Sequence, residues 1–470
     1  MISLCGRSKE LNKDMTISDH NDHNIRDKNV TEHMVKKEND LLSERYYYVR
    51  HRSGLEIFVF PKDMTVSYAM LCVKFGSGDC EYLDTDGKRH ILPDGTAHFM
   101  EHKMFENCDG SDSFERFTAL GADSNAYTTH NRTVYLFNCN EKFSACLAEL
   151  LTFVTEPCFK AESVERERGI ISQEILMYAD NPYNRCYELL LGAMYDKNPV
   201  RTAVCGSVDS IKEITPELMY DCWRDYYCAS NMVLAVCGNI EIADVVAVAD
   251  EVLNEDNPAV GRAAAVTCED IFEESEFVRT PLVKTEMPVT RPLLCTGYKI
   301  TDGEADVGKR QRTEIALSIL NELLFSHSGE LYNSLYSDGL ISSWFSSSLA
   351  YTKQFANLIV STETDDPDAV MERMIKYVEL VKENGIDAED FERCRRVVYS
   401  EFIGSFDSTE EISELLLDSA INGVDTFGYM EQTQDITLDF VYGVLKKFFC
   451  AEYMSTVVIE PISDDDPQEQ

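Results

Sequence analysis

Two stretches of the chain return, in the same order, a little over 200 residues later. YYCASNMVLAV at 226–236 aligns without gaps on FFCAEYMSTVV at 448–458, a displacement of 222 that also carries Tyr220 onto Tyr442. VERERGIISQEI at 164–175 aligns on FERCRRVVYSEF at 391–402, a displacement of 227. Two matches at nearly one displacement argue for a duplicated unit, and 470 residues exceed what one ordinary core accommodates. The expected organisation is an α+β chain of two similar halves, 43–253 and 277–462, facing each other around a cavity. Residues 254–276 form the linker, 1–42 a disordered tail and 463–470 an acidic tail.

Local patterns alternate between strand and helix. YAMLCVKF at 68–75 is an apolar run of strand length that ends at Gly-Ser-Gly. Residues 143–155 have helical spacing and stop before Pro157, and Thr215-Pro216 supplies a cap and a first-turn proline for a helix through Tyr226.

Charge limits the partners. The chain carries 83 acidic and 43 basic residues, a formal balance of −40. Such a surface repels phosphate backbones and anionic headgroups, so neither nucleic acid nor a membrane surface is an expected partner. The N-terminal stretch lacks the apolar core of a targeting signal, and no run approaches membrane-spanning length. Sixteen cysteines without a CxxC pair read as buried reduced thiols, and the expected location is the cytoplasm.

The chemistry lies in His98-Phe99-Met100-Glu101-His102, an H-x-x-E-H pentapeptide in a chain with nine histidines. On a helix, His98 and His102 stand one turn apart on one face, so both imidazoles reach one metal ion, with Glu101 adjacent. Pro93-Asp94-Gly95-Thr96 offers turn and cap residues where that helix begins. The bland alternative is a pair of partly buried histidines on an amphipathic helix. A catalytic zinc takes three protein ligands and leaves one position open. Glu167 and Glu174, seven residues apart on a helical pattern, share a face. One of them can bind zinc while the other holds a ligand imidazole. Glu162 and Glu165 are nearby competitors expected to be solvated.

These motifs resemble the pitrilysin/insulinase family of zinc metallopeptidases, which includes the mitochondrial processing peptidases. GTAHFMEHKMFE at 95–106 is similar to the family's G-x-A-H-F-x-E-H-x-x-F signature, and GADSNAYTTHNRTVYLF at 121–137 to its substrate-strand motif. The resemblance implies a LuxS/MPP-like metallopeptidase fold with mixed or antiparallel sheets covered by helices. It implies one zinc ion per chain on His98, His102 and Glu174, with Glu101 as general base and Glu167 as a supporting catalytic glutamate. Asn125 and Ala126 then sit on an edge strand that pairs with a peptide or unfolded polypeptide substrate. The wording also resembles a bacterial cytosolic branch associated with 5-aminopentanol modification of elongation factor P.

The second half departs from the catalytic pattern. SILNELLF at 318–325 stands in place of HFMEHKMF, so one metal site is expected. The family's arginine–tyrosine pair falls on LYSDGLISSWF at 335–345, with Tyr336 in the arginine's place as an expected substrate and oxyanion contact. Three readings follow from the resemblance: a zinc endopeptidase acting alone or as a homodimer, the active half of a heterodimer with a zinc-less paralogue, and a non-proteolytic maturation protein that retains zinc.

Overall fold

The computed structural model describes residues 34–267, 274–301 and 306–462. The first half runs β1 (Met34–Asn39), β2 (Glu44–Arg50), β3 (Glu56–Pro61), β4 (Ser67–Val73), β5 (Glu81–Leu83), β6 (Arg89–Ile91), α1 (Thr96–Met104), α2 (Ser113–Leu120), β7 (Asp123–Thr128), β8 (Thr133–Cys139), α3 (Phe143–Thr155), α4 (Ala161–Asp180), α5 (Pro182–Met194), α6 (Pro216–Tyr226), β9 (Met232–Gly238), α7 (Ile242–Val252) and β10 (Val266–Thr267). The second runs β11 (Leu282–Met287), β12 (Leu293–Ile300), α8 (Val307–Phe325), α9 (Glu330–Ser337), β13 (Phe345–Tyr351), β14 (Ala356–Glu363), α10 (Pro367–Asn384), α11 (Ala388–Gly404), α12 (Thr409–Asn422), α13 (Gly428–Asp435), α14 (Leu438–Phe448) and β15 (Met454–Pro461).

The duplication is visible in the sheets. The first has the order β1-β2-β3-β9-β4-β8-β7 and the second β11-β15-β12-β14-β13. The strand that closes each half enters between one parallel and one antiparallel neighbour: β9 between β3 and β4, β15 between β11 and β12. The sequence matches fall on β9 with β15 and on α4 with α11.

Burial explains why the central strands lack alternation. β4, β9 and β12 are buried along their whole length, as strands covered on both faces must be. One cover is borrowed from the other half. Helix α12 lays Ile412, Leu416 and Leu417 on the first sheet, against Met70, Val233 and Ala235. Helix α5 lays Leu190, Leu191 and Met194 on the second, against Leu293, Ile359 and Val457. Gly297 of β12 makes room, because a Cβ there would lie 2.9 Å from the Met194 sulfur.

Two sequence expectations need correction. The tail was expected to extend to residue 42, but Met34–Asn39 pair antiparallel with β2, because β2 otherwise presents an open edge that this short, lysine-bearing strand covers. Residues 1–33 and 463–470 lie outside the described residues. The cysteines are not uniformly free: Cys108 and Cys158 form a disulfide, brought together because the loop leaving α1 and the loop entering α4 emerge side by side. Ten of the twelve free cysteines described are buried. Among the described residues, no helix is long and apolar enough to cross a membrane.

Because each half supplies cover for the other's sheet, the halves should unfold in one transition. Leu416→Ala, at a fully buried α12 position, should cost about 2–5 kcal/mol. Denaturation followed by circular dichroism should show a lowered midpoint and still a single transition.

Candidate metal centre

Helix α1 starts where the loop before it is clamped. Gly95 has φ +90°, and a Cβ there would lie 2.4 Å from the Cys205 carbonyl oxygen; Gly206 at φ +72° meets Asp94 in the same way. The two loops therefore interlock backbone to backbone. From that start, Phe99, Met100 and Met104 turn into the core. His98, Glu101 and His102 turn toward α4. That helix is anchored by buried Val164, Ile171 and Ile175 and by Arg168, whose guanidinium donates to the carbonyls of Ile211 and Ile214.

The facing surfaces bring three residues together. One donor atom each from His98, His102 and Glu174 lie within 4.8 Å of one another. Glu174 Oε1 is 3.7 Å from His98 Nε2, and its Oε2 is 3.4 Å from His102 Nε2. On the far side of His102, Nδ1 donates to Glu167 Oε1 at 3.1 Å. Glu162 and Glu165 point to solvent.

Each group's electrostatics follows from its place. Burial, helped by the neighbouring His102, lowers His98 to about 4, so this imidazole is neutral. Burial opposes protonation of His102, but the bond to Glu167 and the carboxylates of Glu101 and Glu174 outweigh it and raise its pKa. The His102 bond holds Glu167 below its ordinary value. Burial raises Glu101, against the hydrogen bond it accepts at Oε2 from the Thr128 hydroxyl, 2.5 Å away. Tyr178, one turn after Glu174, hydrogen bonds that carboxylate.

The cluster opens into a cavity of about 380 Å³ whose walls also include Ala126, Thr128, His130, Tyr178 and Tyr187. Ala126 and Asn125 border a second hollow on the other side of Glu101 and His102. Both stand on β7, which among the described residues pairs with β8 alone and forms the sheet's edge. Tyr336 is not brought to this place. It lies on α9, 52% exposed and stacked on Tyr332, because the short α9 turns its ring outward. Every residue lining the 380 Å³ cavity falls between 98 and 205. The second half touches the site through α12 instead: Glu414 accepts from Tyr127 and Arg132, and Asp418 from Arg132, holding the β7–β8 hairpin.

Sequence reasoning passed over Thr128, Tyr178 and His130. Thr128 closes the N-A-x-T stretch, and Tyr178 follows Glu174 by four residues, so both carried a spacing signal. The buried, unpartnered Nε2 of His130 carried none.

Comparison with known proteins agrees with this geometry. Residues 64–207 match the family model of insulinase, peptidase family M16, and residues 213–398 match the M16 peptidase inactive domain. A zinc protease of Bacillus subtilis, YmfH, itself uncharacterised, is 32% identical over 439 residues, covering 92% of this chain and all of the relative. An M16-like peptidase from Alicyclobacillus acidocaldarius has 30% identity and a TM-score of 0.84, covering 89% of this chain and 98% of that one. Pitrilysin shares the fold at a TM-score of 0.66 and 16% identity, with 94% of this chain matched to 47% of its length. Among the described residues of this two-half α+β chain, the His–His–Glu cluster lies in the first half. The chain belongs to the insulinase family of peptidases, family M16.

The donor set suits zinc. Tetrahedral ligands at zinc–nitrogen lengths of about 2.0–2.1 Å stand roughly 3.3 Å apart. The two glutamate–histidine separations, 3.4 and 3.7 Å, are close to that and too long for direct hydrogen bonds. Glu167 fixes the tautomer that leaves the His102 Nε2 lone pair free, and His98 is neutral, as metal ligation requires. Glu167→Gln should therefore weaken zinc binding about 10–100-fold, measured by competition with a chromophoric chelator, with little change in folding.

Proposed function

We propose that the chain is a zinc-dependent endopeptidase that binds peptides or unfolded segments as an added β-strand. The observation that carries the reading is the convergence of His98, His102 and Glu174 on one point, with Glu101 beside them and an unpaired strand edge alongside. In this reading those three residues hold the ion, which supplies a Lewis acid that brings a water's pKa near 7. Glu101 takes that water's proton and delivers it to the leaving amine. The Thr128 hydroxyl holds one Glu101 oxygen and leaves the other for the proton. Glu167 keeps His102 in the ligating tautomer, and Tyr178 steadies Glu174. Main-chain groups of β7 at Asn125 and Ala126 align the substrate, so side chains are read only modestly.

One observation favours a heteromeric form. Among the described residues no second-half side chain lines the cavity around the cluster, and Tyr336 lies outside it, so in this reading a further oxyanion donor comes from another subunit. A related zinc-less chain is the partner this reading names. The buried thiols are in keeping with a reducing compartment such as the cytoplasm.

Wild type and Glu101→Gln should each hold one zinc. Only wild type should cleave a quenched-peptide library, with the variant at least about 100-fold slower. Equal activity in both would remove Glu101 from the mechanism. One zinc in both with no cleavage by either would favour the heteromer, and adding the zinc-less chain should then restore activity to wild type alone.

A further inference from the structure

The disulfide sits at a particular point of the molecule. Cys108 lies in the loop that leaves α1, and Cys158 lies in the loop that enters α4. Those two helices carry His98, Glu101, His102, Glu167 and Glu174 between them. The bond thus ties together the ends of the two helices whose facing sides make the metal cluster. The same α1–α2 loop contributes Gly110 and Ser111 to the wall of the second hollow, of about 570 Å³, opposite Arg166 and Glu167 of α4.

Its two cysteines are unlike. Cys108 is exposed, whereas Cys158 is buried at 3%. Exchange should then begin at Cys108, the residue that faces solvent. Most free cysteines described are shielded: burial raises Cys80, Cys205 and Cys394 to about 11 and Cys72 and Cys237 to about 12. The other ties at this point are modest and partly exposed. The Lys160 ammonium donates to the Cys108 carbonyl oxygen at 3.1 Å, and Arg166 lies 3.6 Å from Glu106. Glu106 also accepts a hydrogen bond from Ser163 in the first turn of α4, so the covalent bond reinforces a small set of polar ties.

We propose that Cys108 and Cys158 are a reversible thiol–disulfide couple that clamps the α1–α4 cleft when oxidised and loosens its hold on zinc when reduced. The inference rests on the zinc reading above for its consequence, though not for the exchange itself. Reduction by a low-molecular-weight thiol runs in two balanced steps. A thiolate attacks the Cys108 sulfur, forms a mixed disulfide and releases Cys158 as thiolate, which takes up a proton. A second thiolate attacks the small-molecule sulfur of the mixed disulfide and releases Cys108 as a thiolate that takes up a proton, so two small thiols leave as one disulfide and the two electrons they gave up rest on the Cys108 and Cys158 thiols. Oxidation is the reverse, with a low-molecular-weight disulfide as acceptor. Among the described residues, where ten of the twelve free thiols are buried, the pair would thereby form a redox contact beside the metal centre.

The test uses the full chain loaded with zinc. It is equilibrated across a series of reduced-to-oxidised glutathione ratios, quenched in acid and alkylated, with each cysteine read by peptide mass. Cys108 and Cys158 should titrate together within the series. Oxidised and phosphine-reduced protein, both desalted, are then compared for zinc release to a chromophoric chelator and for amide hydrogen exchange at 106–112 and 161–167. The reduced form should release zinc about ten-fold faster and exchange faster in both segments. Cys108→Ser should behave as the reduced form in either buffer. A pair that stays fully bonded or fully reduced across the series would overturn the couple. Equal zinc release and equal exchange in the two forms would overturn the clamp. A protein that binds no zinc would count against the metal reading alone, and the exchange comparison would still decide the clamp.

Discussion

Each half of this molecule finishes the core of the other. Leu190, Leu191 and Met194 of α5 cover the second sheet, and Ile412, Leu416 and Leu417 of α12 cover the first. A sheet whose central strands are apolar on both faces cannot stand with one face in water. The exchange of helices therefore forces the halves to face each other. It also sets the site. Helix α5 follows α4 with only Asn181 between them, so seating α5 on the second sheet fixes where α4 ends and where Glu174 points. Helix α12 reaches Tyr127 and Arg132 and so holds the hairpin whose edge strand borders the cluster.

The asymmetry of function within this symmetric frame has a local cause. Helices α1 and α8 occupy equivalent places, but α8 presents Ser318, Asn321 and Glu322 where α1 presents His98, Glu101 and His102. Glu401 corresponds to Glu174, and Cys394 to Glu167. A lone pair of carboxylates with no imidazole lacks the borderline-soft donors that hold zinc well. The second half is left with a covering and holding role. Its α12 carries Glu414 and Asp418 against Arg132, contacts that α5 does not repeat.

Much of this was legible beforehand, and the exceptions have physical reasons. The helix expected at 143–155 is α3 with the same bounds, and the helix opened by Pro216 is α6, because capping and breaker residues act locally. The duplicated segments proved to be equivalent strands and helices. Helical spacing puts His98 with His102 and Glu167 with Glu174 on shared faces, and the choice of Glu174 came from the family resemblance; the structure sets its carboxylate 3.7 Å from His98 and 3.4 Å from His102. What failed depended on tertiary placement. β1 reads as a polar tail because its strand covers an edge and buries little. The Cys108–Cys158 bond joins residues 50 apart, a distance at which no spacing rule operates. Tyr336 was placed by analogy of motif, and the turn of α9 sends it outward. The crossing of α5 and α12 leaves no mark that distinguishes their apolar faces from those of helices packed within one half.

The account stands on one claim, that α1 and α4 form a zinc site from two imidazoles and one carboxylate. X-ray absorption at the zinc edge, on protein purified without chelators, tests it most directly. The account predicts one zinc per chain with two nitrogen neighbours at about 2.0–2.1 Å, oxygen completing the shell and no sulfur; the His102→Ala variant should lose this spectrum. A sulfur-containing shell, or bound zinc that persists unchanged in that variant, would contradict it.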